Sequence, residues 1–121
     1  MTTGWKLTEA CRAALLTSLV PRYARVIADH VTFKAGVSEA TAEQPAPIGQ
    51  ACIVGRADDD AGVEAYVVTI DASTARPDSG TWHVTWSLAP GREARESNAV
   101  IAQAGWTPCP PLALELVPAR W

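Results

Sequence analysis

The only two histidines in the sequence occur in the same short pattern. His30 and His83 each begin the tripeptide His-Val-Thr, which an aromatic residue follows in both places. The chance that both histidines fall into this pattern by accident is on the order of one in ten thousand. Thr32 and Thr85 stand two positions after the histidines, and residues two apart in a β-strand share one face of the sheet. Each copy of the pattern therefore predicts an imidazole and a hydroxyl that lie side by side.

If both imidazole–hydroxyl pairs face one point, they could catalyse displacement at a phosphorus atom. In that reaction the attacking and leaving oxygens lie on opposite sides of the phosphorus. One imidazole can take the proton from the nucleophile while the other gives a proton to the leaving oxygen, since histidine does both near neutral pH. Threonine hydroxyls can donate hydrogen bonds to the non-bridging oxygens, where negative charge must be stabilised in the transition state. We therefore expect His30, His83, Thr32 and Thr85 to be the catalytic residues.

The two motifs also carry a family resemblance. The sequences HVTF and HVTW resemble the H-x-[ST]-x signature of the two-histidine (2H) phosphoesterase superfamily. The length, the doubled motif and the run TWHVTWSL followed by Ser97-Asn98 are most similar to its compact, RNA-repair-associated ("Swiss army knife") branch, over about residues 22–117. The resemblance implies two pseudo-symmetric lobes around a central groove. It also implies metal-independent cleavage or ligation of 2′,3′-cyclic or 2′-5′ phosphodiesters, with the motif histidines catalytic and the motif threonines binding phosphate.

Four further residues are predicted to bind substrate: Ser97, Asn98, Arg92 and Tyr23. Ser97 and Asn98 are poor residues for a helix interior, and the family resemblance favours their contact with substrate. Arg92 and Arg95 are three apart near a predicted helix start, where they could hold phosphate, although a solvated helix face accounts for them equally well. Tyr23 could stack on a base, but packing within the domain is an alternative for this residue.

Composition limits the partners of the chain. A single domain of 121 residues with a net charge of −3 is not expected to track along long nucleic acid, whereas an RNA end or a small nucleotide remains a possible partner. No apolar run is long enough for a membrane span, and the first residues lack the apolar core of a signal peptide. Three cysteines, far apart in the sequence, do not form a disulfide framework. We therefore expect a cytoplasmic protein with its core at about residues 7–118.

No metal and no cofactor are expected. Two histidines and three scattered cysteines cannot supply a zinc-type ligand set at the usual spacing. The acidic run 58–60 is interpreted as a solvated turn, because the spacing of a calcium-binding EF-hand loop and its closing glutamate are absent. Opening a strained cyclic phosphodiester does not require a metal ion once the leaving group is protonated.

The second motif lies in the clearest strand of the sequence. From Thr81 to Leu88, apolar residues alternate with hydroxyl and imidazole side chains, so that Trp82 and Trp86 are expected in the core and His83 on the opposite face. The first motif lies in a less regular strand expected over residues 23–33.

The remaining pattern predicts an α+β domain. A helix capped by Thr8 should end before Pro21, and a second helix over residues 92–104 should stop at Gly105. Strands are expected at 50–55, 63–70 and 112–117, and loops at 35–47 and 71–80, the first of them long enough to border a cleft. The hairpin signals favour a mainly antiparallel sheet.

Together these features predict a phosphodiesterase that opens 2′,3′-cyclic phosphate ends of RNA or nucleotides with water. His83 is expected to act as the base for water and His30 as the acid for the leaving oxygen. Two alternatives stay open: a hydrolase of 2′-5′-linked or cyclic signalling oligonucleotides, and a non-catalytic module that binds a nucleotide or an RNA end.

Overall fold

Two helices and two antiparallel sheets make up the computed structural model, which describes residues 1–121. In chain order the elements are β1 (Thr3–Leu7), α1 (Glu9–Ser18), β2 (Arg25–Val26), β3 (His30–Lys34), β4 (Ala51–Asp58), β5 (Val63–Ile70), β6 (His83–Leu88), α2 (Ser97–Ala104), β7 (Thr107–Ala113) and β8 (Leu116–Arg120). The predicted α+β class is confirmed.

The two sheets share one core. The smaller sheet has the order β3-β1-β8 and the larger has the order β2-β6-β5-β4-β7. Apolar side chains from both sheets and from α1 form the main cluster, in which Trp5, Val31 and Trp86 are buried. A second cluster joins the larger sheet to α2 through Val100 and Ile101. Both faces of the larger sheet are therefore covered.

The strand expected over residues 23–33 is divided between the two sheets. Arg25 and Val26 pair with β6, and the N–H of Ala28 donates to the Thr85 carbonyl at 3.0 Å. At Ala28 the backbone takes a φ of 42°, and from His30 onward the chain pairs with β1 instead. The prediction of one strand was wrong because the chain changes sheets here. As a result, the first motif lies in the smaller sheet, on its edge strand β3, and the second motif lies in the larger sheet, on β6.

The alternation predicted for β6 is confirmed on its apolar face, where Trp82, Val84 and Trp86 are buried. His83 and Thr85 lie on the opposite face, as predicted, but this face is covered, and both residues are largely buried. The 3₁₀ turn at Ala94–Glu96 and helix α2 pack over that face. The second motif is therefore covered by these two elements and does not lie on an open surface.

Both termini contribute strands that the sequence pattern did not indicate. β1 is the central strand of the smaller sheet, so that the ordered core begins at Thr3 and not near residue 7. The strand expected at 112–117 was also wrong: β7 and β8 lie in different sheets and are separated by Leu114 and Glu115. The proline-rich β7 is tolerated because it is an edge strand, where prolines remove few ladder hydrogen bonds.

Both helices are shorter than predicted, although α1 has the predicted N-cap and α2 has the predicted C-terminal end. Helix α1 is capped by Thr8, whose hydroxyl accepts from the Cys11 N–H at 3.2 Å. Helix α2 begins only at Ser97 and stops at Gly105, whose φ is 74°. Neither helix has the length and apolar composition needed to cross a bilayer. The loops expected at 35–47 and 71–80 contain no helix, and only isolated bridges occur in the second.

Candidate functional site

A cavity of about 370 Å³ contains side chains from both His-Val-Thr motifs. His30 and Thr32 reach it from β3, while His83 and Thr85 reach it from β6. The two strands belong to different sheets, so the cavity lies at the seam between them. All four residues predicted to be catalytic are thus brought together, and Asn98 of α2 lines the same cavity.

His30 is held by an acidic neighbour. Its Nδ1 lies 3.0 Å from Oδ2 of Asp29, and the same oxygen accepts from Nζ of Lys6 at 2.6 Å. The imidazole packs against Trp121, with ring centroids 4.6 Å apart. Burial lowers the pKa of His30, and the Asp29 carboxylate opposes this by favouring the charged ring. With Nδ1 engaged, Nε2 is the nitrogen without a hydrogen bond inside the chain.

His83 is held by a backbone carbonyl instead. Its Nδ1 lies 2.7 Å from the Thr81 oxygen, and a carbonyl can only accept, so Nδ1 carries the proton. In the neutral ring Nε2 is then the basic nitrogen, and it has no partner within the chain. Burial lowers the pKa of His83; the bond to Thr81 opposes this, and the positive charges of Arg76 and His30 lower the pKa further.

The two motif threonines differ in what their hydroxyls contact. The Thr32 hydroxyl lines the cavity and makes no hydrogen bond within the chain. The Thr85 hydroxyl donates to the Ala94 carbonyl at 3.2 Å and lies 2.8 Å from the hydroxyl of Ser97, which therefore donates to it. Thr32 is the free donor, whereas Thr85 must turn away from Ala94 before it can donate to a ligand.

Ser97 is placed behind the cavity and not in it. Its side chain is 0% exposed, and its hydroxyl contacts Thr85. The expected direct contact with substrate is not supported, because Ser97 does not line the cavity and its hydroxyl contacts Thr85, which does. Ser97 can act only through Thr85. Its compatibility with a helix is explained as well, since it begins α2 and does not lie in the interior.

Arg92 and Tyr23 also lie outside the cavity. Arg92 donates to the Asp59 carboxylate at 2.8 Å, and the Tyr23 hydroxyl donates to Asp58 at 2.7 Å. Both side chains hold the acidic turn between β4 and β5. Their polar groups are engaged by the turn and do not line the cavity, so the structure gives no support to the prediction that they bind substrate.

Asn98 and Arg76 form a hydrogen-bonded pair at the cavity, and the sequence pattern predicts only Asn98 as a site residue. The Asn98 amide oxygen accepts from Nη2 of Arg76 at 2.9 Å, and its nitrogen donates to the Arg95 carbonyl. Arg76 lines the cavity from the loop between β5 and β6, which the sequence identifies only as rich in turn residues. No spacing rule connects a loop arginine to a distant motif, so no signal in the sequence could single it out.

The ionisable groups of the site do not form a metal-binding cluster. No three or more histidine, cysteine, aspartate or glutamate side chains are grouped so that they could hold a metal ion. The three cysteines are free. The chemistry available at the cavity is therefore that of two imidazoles with open Nε2 atoms, a free hydroxyl and nearby arginine side chains.

Comparison with models of known protein families, with curated proteins and with solved structures finds no match for the chain. The residues of the cavity are therefore the basis for a functional proposal.

Proposed function

We propose that the chain is a phosphodiesterase of the 2H type, which opens 2′,3′-cyclic phosphates on RNA ends or nucleotides without a metal ion. The observation that carries the proposal is that both His-Val-Thr motifs line one cavity from two separate sheets. A pair of imidazoles on two strands can address opposite sides of one phosphorus atom, which is the requirement of an in-line displacement.

The reaction needs one neutral and one protonated imidazole. Nε2 of His83 takes a proton from water while the water oxygen forms a bond to phosphorus. The bond from phosphorus to one ribose oxygen breaks, and that oxygen takes a proton from Nε2 of His30. The product is a phosphomonoester with a free neighbouring hydroxyl. Exchange with solvent then returns both imidazoles to their starting states.

The surroundings of each ring support this assignment of roles. His83 has no carboxylate bonded to it, and its low pKa keeps Nε2 available as a base. The carboxylate of Asp29 stabilises the protonated form of His30, as a general acid requires. The free hydroxyl of Thr32 is available to donate to a non-bridging oxygen of the phosphate.

Hydrolysis of 2′-5′-linked or cyclic oligonucleotides is a second candidate. A further cavity of about 260 Å³ adjoins the first and shares Arg76, Asp78, His83 and Asn98 with it. Space on both sides of His83 favours a substrate that extends beyond the phosphate. Comparing a mononucleotide with an oligonucleotide substrate distinguishes the two candidates.

The direct test is turnover of adenosine 2′,3′-cyclic phosphate in EDTA, followed by chromatography of the products. Wild type is compared with His30→Ala and His83→Ala, each shown by circular dichroism to be folded. Each substitution should lower kcat by about 10²- to 10⁴-fold, the usual contribution of a general acid or base. Equal turnover by all three proteins would discard the proposal. Saturable binding without turnover would instead favour the binding module.

A parallel assay separates the substrate classes. A 2′-5′-linked diadenylate and an RNA oligonucleotide ending in a 2′,3′-cyclic phosphate are supplied at equal concentration in competition. Faster loss of the cyclic end supports RNA-end or nucleotide chemistry. Faster cleavage of the 2′-5′ bond supports the second candidate. A matched Thr32→Ala variant should slow either reaction, whereas Thr17→Ala, on the exposed side of α1, should not.

A further inference from the structure

Arg76 is the one nearly buried cation at the cavity. We propose that it is the anion-binding residue of the site, that it holds the phosphate group of a nucleotide ligand, and that Asp78 and Asn98 position it. The nucleotide nature of the ligand rests on the proposed function. The anion site itself rests on the contacts of Arg76.

The guanidinium of Arg76 is fixed on two sides. Its Nε donates to Oδ1 of Asp78 at 2.7 Å, and its Nη2 donates to Oδ1 of Asn98 at 2.9 Å. The side chain is only 10% exposed. A cation whose rotamer is already fixed loses little conformational entropy when it binds an anion, so its affinity is higher than that of a mobile surface arginine.

Donors remain after these two bonds are made. A guanidinium has five N–H groups in a planar fork, and Nη1 of Arg76 makes no hydrogen bond within the chain. Arg76 borders both the main cavity and its neighbour, so it lies beside His83 in the space that both share. The unengaged N–H groups match the bidentate pattern by which arginine binds a phosphate.

The charges that line the cavity are nearly balanced, so an anion would be held by the unengaged N–H groups of Arg76 and not by a strong net charge. Among its ionisable side chains, Arg76 and Arg95 are positive and Asp78 is negative, while the pKa of each imidazole is lowered. With both imidazoles neutral, the lining side chains carry a formal charge of +1, and the carboxylate of Asp78 already balances the charge of Arg76. Arg95 supplies the remaining positive charge, and its side chain is 83% exposed and paired with Glu93. The desolvated positive charge is therefore that of Arg76.

The Arg76 guanidinium packs against the Cα of Gly80, in space that a larger residue would occupy. A methyl group on the Gly80 Cα would lie 2.5 Å from Nη2 of Arg76 and 2.8 Å from Oδ1 of Asp78. The same turn is closed by the Arg76 N–H, which donates to the Gly80 carbonyl at 3.0 Å. A Cβ at residue 80 would therefore displace the guanidinium of Arg76 or the carboxylate of Asp78 from this arrangement. Gly80→Ala would move the guanidinium without changing any charge.

The test is binding, measured by calorimetry with adenosine 3′-monophosphate, inorganic phosphate and uncharged adenosine. Arg76→Gln should raise the Kd for the first two probes by about 10- to 100-fold, the range of charge-assisted hydrogen bonds, and leave adenosine nearly unchanged. Gly80→Ala should weaken binding in the same direction with the charge intact. The matched control is Arg25→Gln, which removes an equal charge from an exposed residue of β2.

The outcomes separate this inference from the proposed function. Equal affinity of wild type and Arg76→Gln for adenosine 3′-monophosphate would overturn the role of Arg76, as would no binding of either phosphate probe by wild type. If cyclic phosphates are not hydrolysed but phosphate binding still depends on Arg76, the reaction is wrong and the anion site stands. If turnover needs both histidines but binding ignores Arg76, the reaction stands and the anion site is wrong.

Discussion

At each of the two histidines, the partner of Nδ1 decides what the ring can do. Nδ1 of His83 faces a carbonyl, which accepts a hydrogen bond without adding a full charge, whereas Nδ1 of His30 faces the carboxylate of Asp29. The carboxylate favours the protonated ring and the carbonyl does so less strongly. The same motif therefore has a different Nδ1 partner at each histidine, and the proposed assignment of His30 as acid and His83 as base rests on this difference.

Removal of the Asp29 charge should change the pKa of His30 more than that of His83. In Asp29→Asn the imidazolium of His30 loses its negative partner while Lys6 remains positive nearby, so the pKa of His30 should fall below its wild-type value. NMR titration of the ring protons measures this, and the ring of His83 serves as an internal reference. Asp71→Asn, at an exposed turn, is the matched control. A rise in the pKa of His30 would contradict the role of Asp29.

At the scale of elements, the short segment between β2 and β3 carries the first motif from the larger sheet to the smaller one. It pairs with β6 up to Ala28 and then carries His30 to the other sheet. Ala28 is 0% exposed and has a positive φ, so a larger or β-branched side chain meets both a steric and a backbone penalty. The seam between the sheets therefore depends on a small residue at this position.

Ala28→Val should lower the free energy of unfolding by about 2 kcal/mol or more, because it overpacks the seam and strains the backbone. Ala28→Gly, which suits a positive φ, should stay within about 1 kcal/mol of wild type. Urea unfolding at constant pH provides both values, and Ala24→Val, at an exposed residue before β2, serves as the control. Equal losses for the valine variants at 24 and 28 would show that Ala28 has no special part in the change of sheet.

Some elements of the fold are predictable from the sequence and others are not. β5 and β6 are predictable because alternation within one strand is a local property, and both motifs are visible in the sequence for the same reason. The change of sheets at Ala28 depends on contacts with β6 and β1, which no local pattern reveals. β7 could not be recognised as a strand because its three prolines are unfavourable in a β-sheet. Arg76 was missed because a loop residue reaches the cavity through the turn at Gly80, a tertiary feature.

At the scale of the whole molecule, the residues of the proposed site lie where two sheets meet over a common core. Each sheet supplies one imidazole and one hydroxyl, and the loop before β6 and helix α2 supply Arg76 and Asn98. The rings are largely buried, which lowers the pKa of both His30 and His83. Activity should therefore need one neutral ring and one protonated ring whose pKa values both lie below the ordinary value of about 6.5.

The measurement that tests this account most directly is the dependence of kcat/KM on pH for hydrolysis of adenosine 2′,3′-cyclic phosphate in EDTA. The rate should rise with pH as His83 loses its proton and fall again as His30 loses its own, which gives a bell with its maximum below about pH 6.5. Replacing either histidine should remove one limb along with most of the rate. A wild-type profile that is flat between about pH 5 and pH 9 would contradict the claim that two imidazoles act on one phosphorus atom.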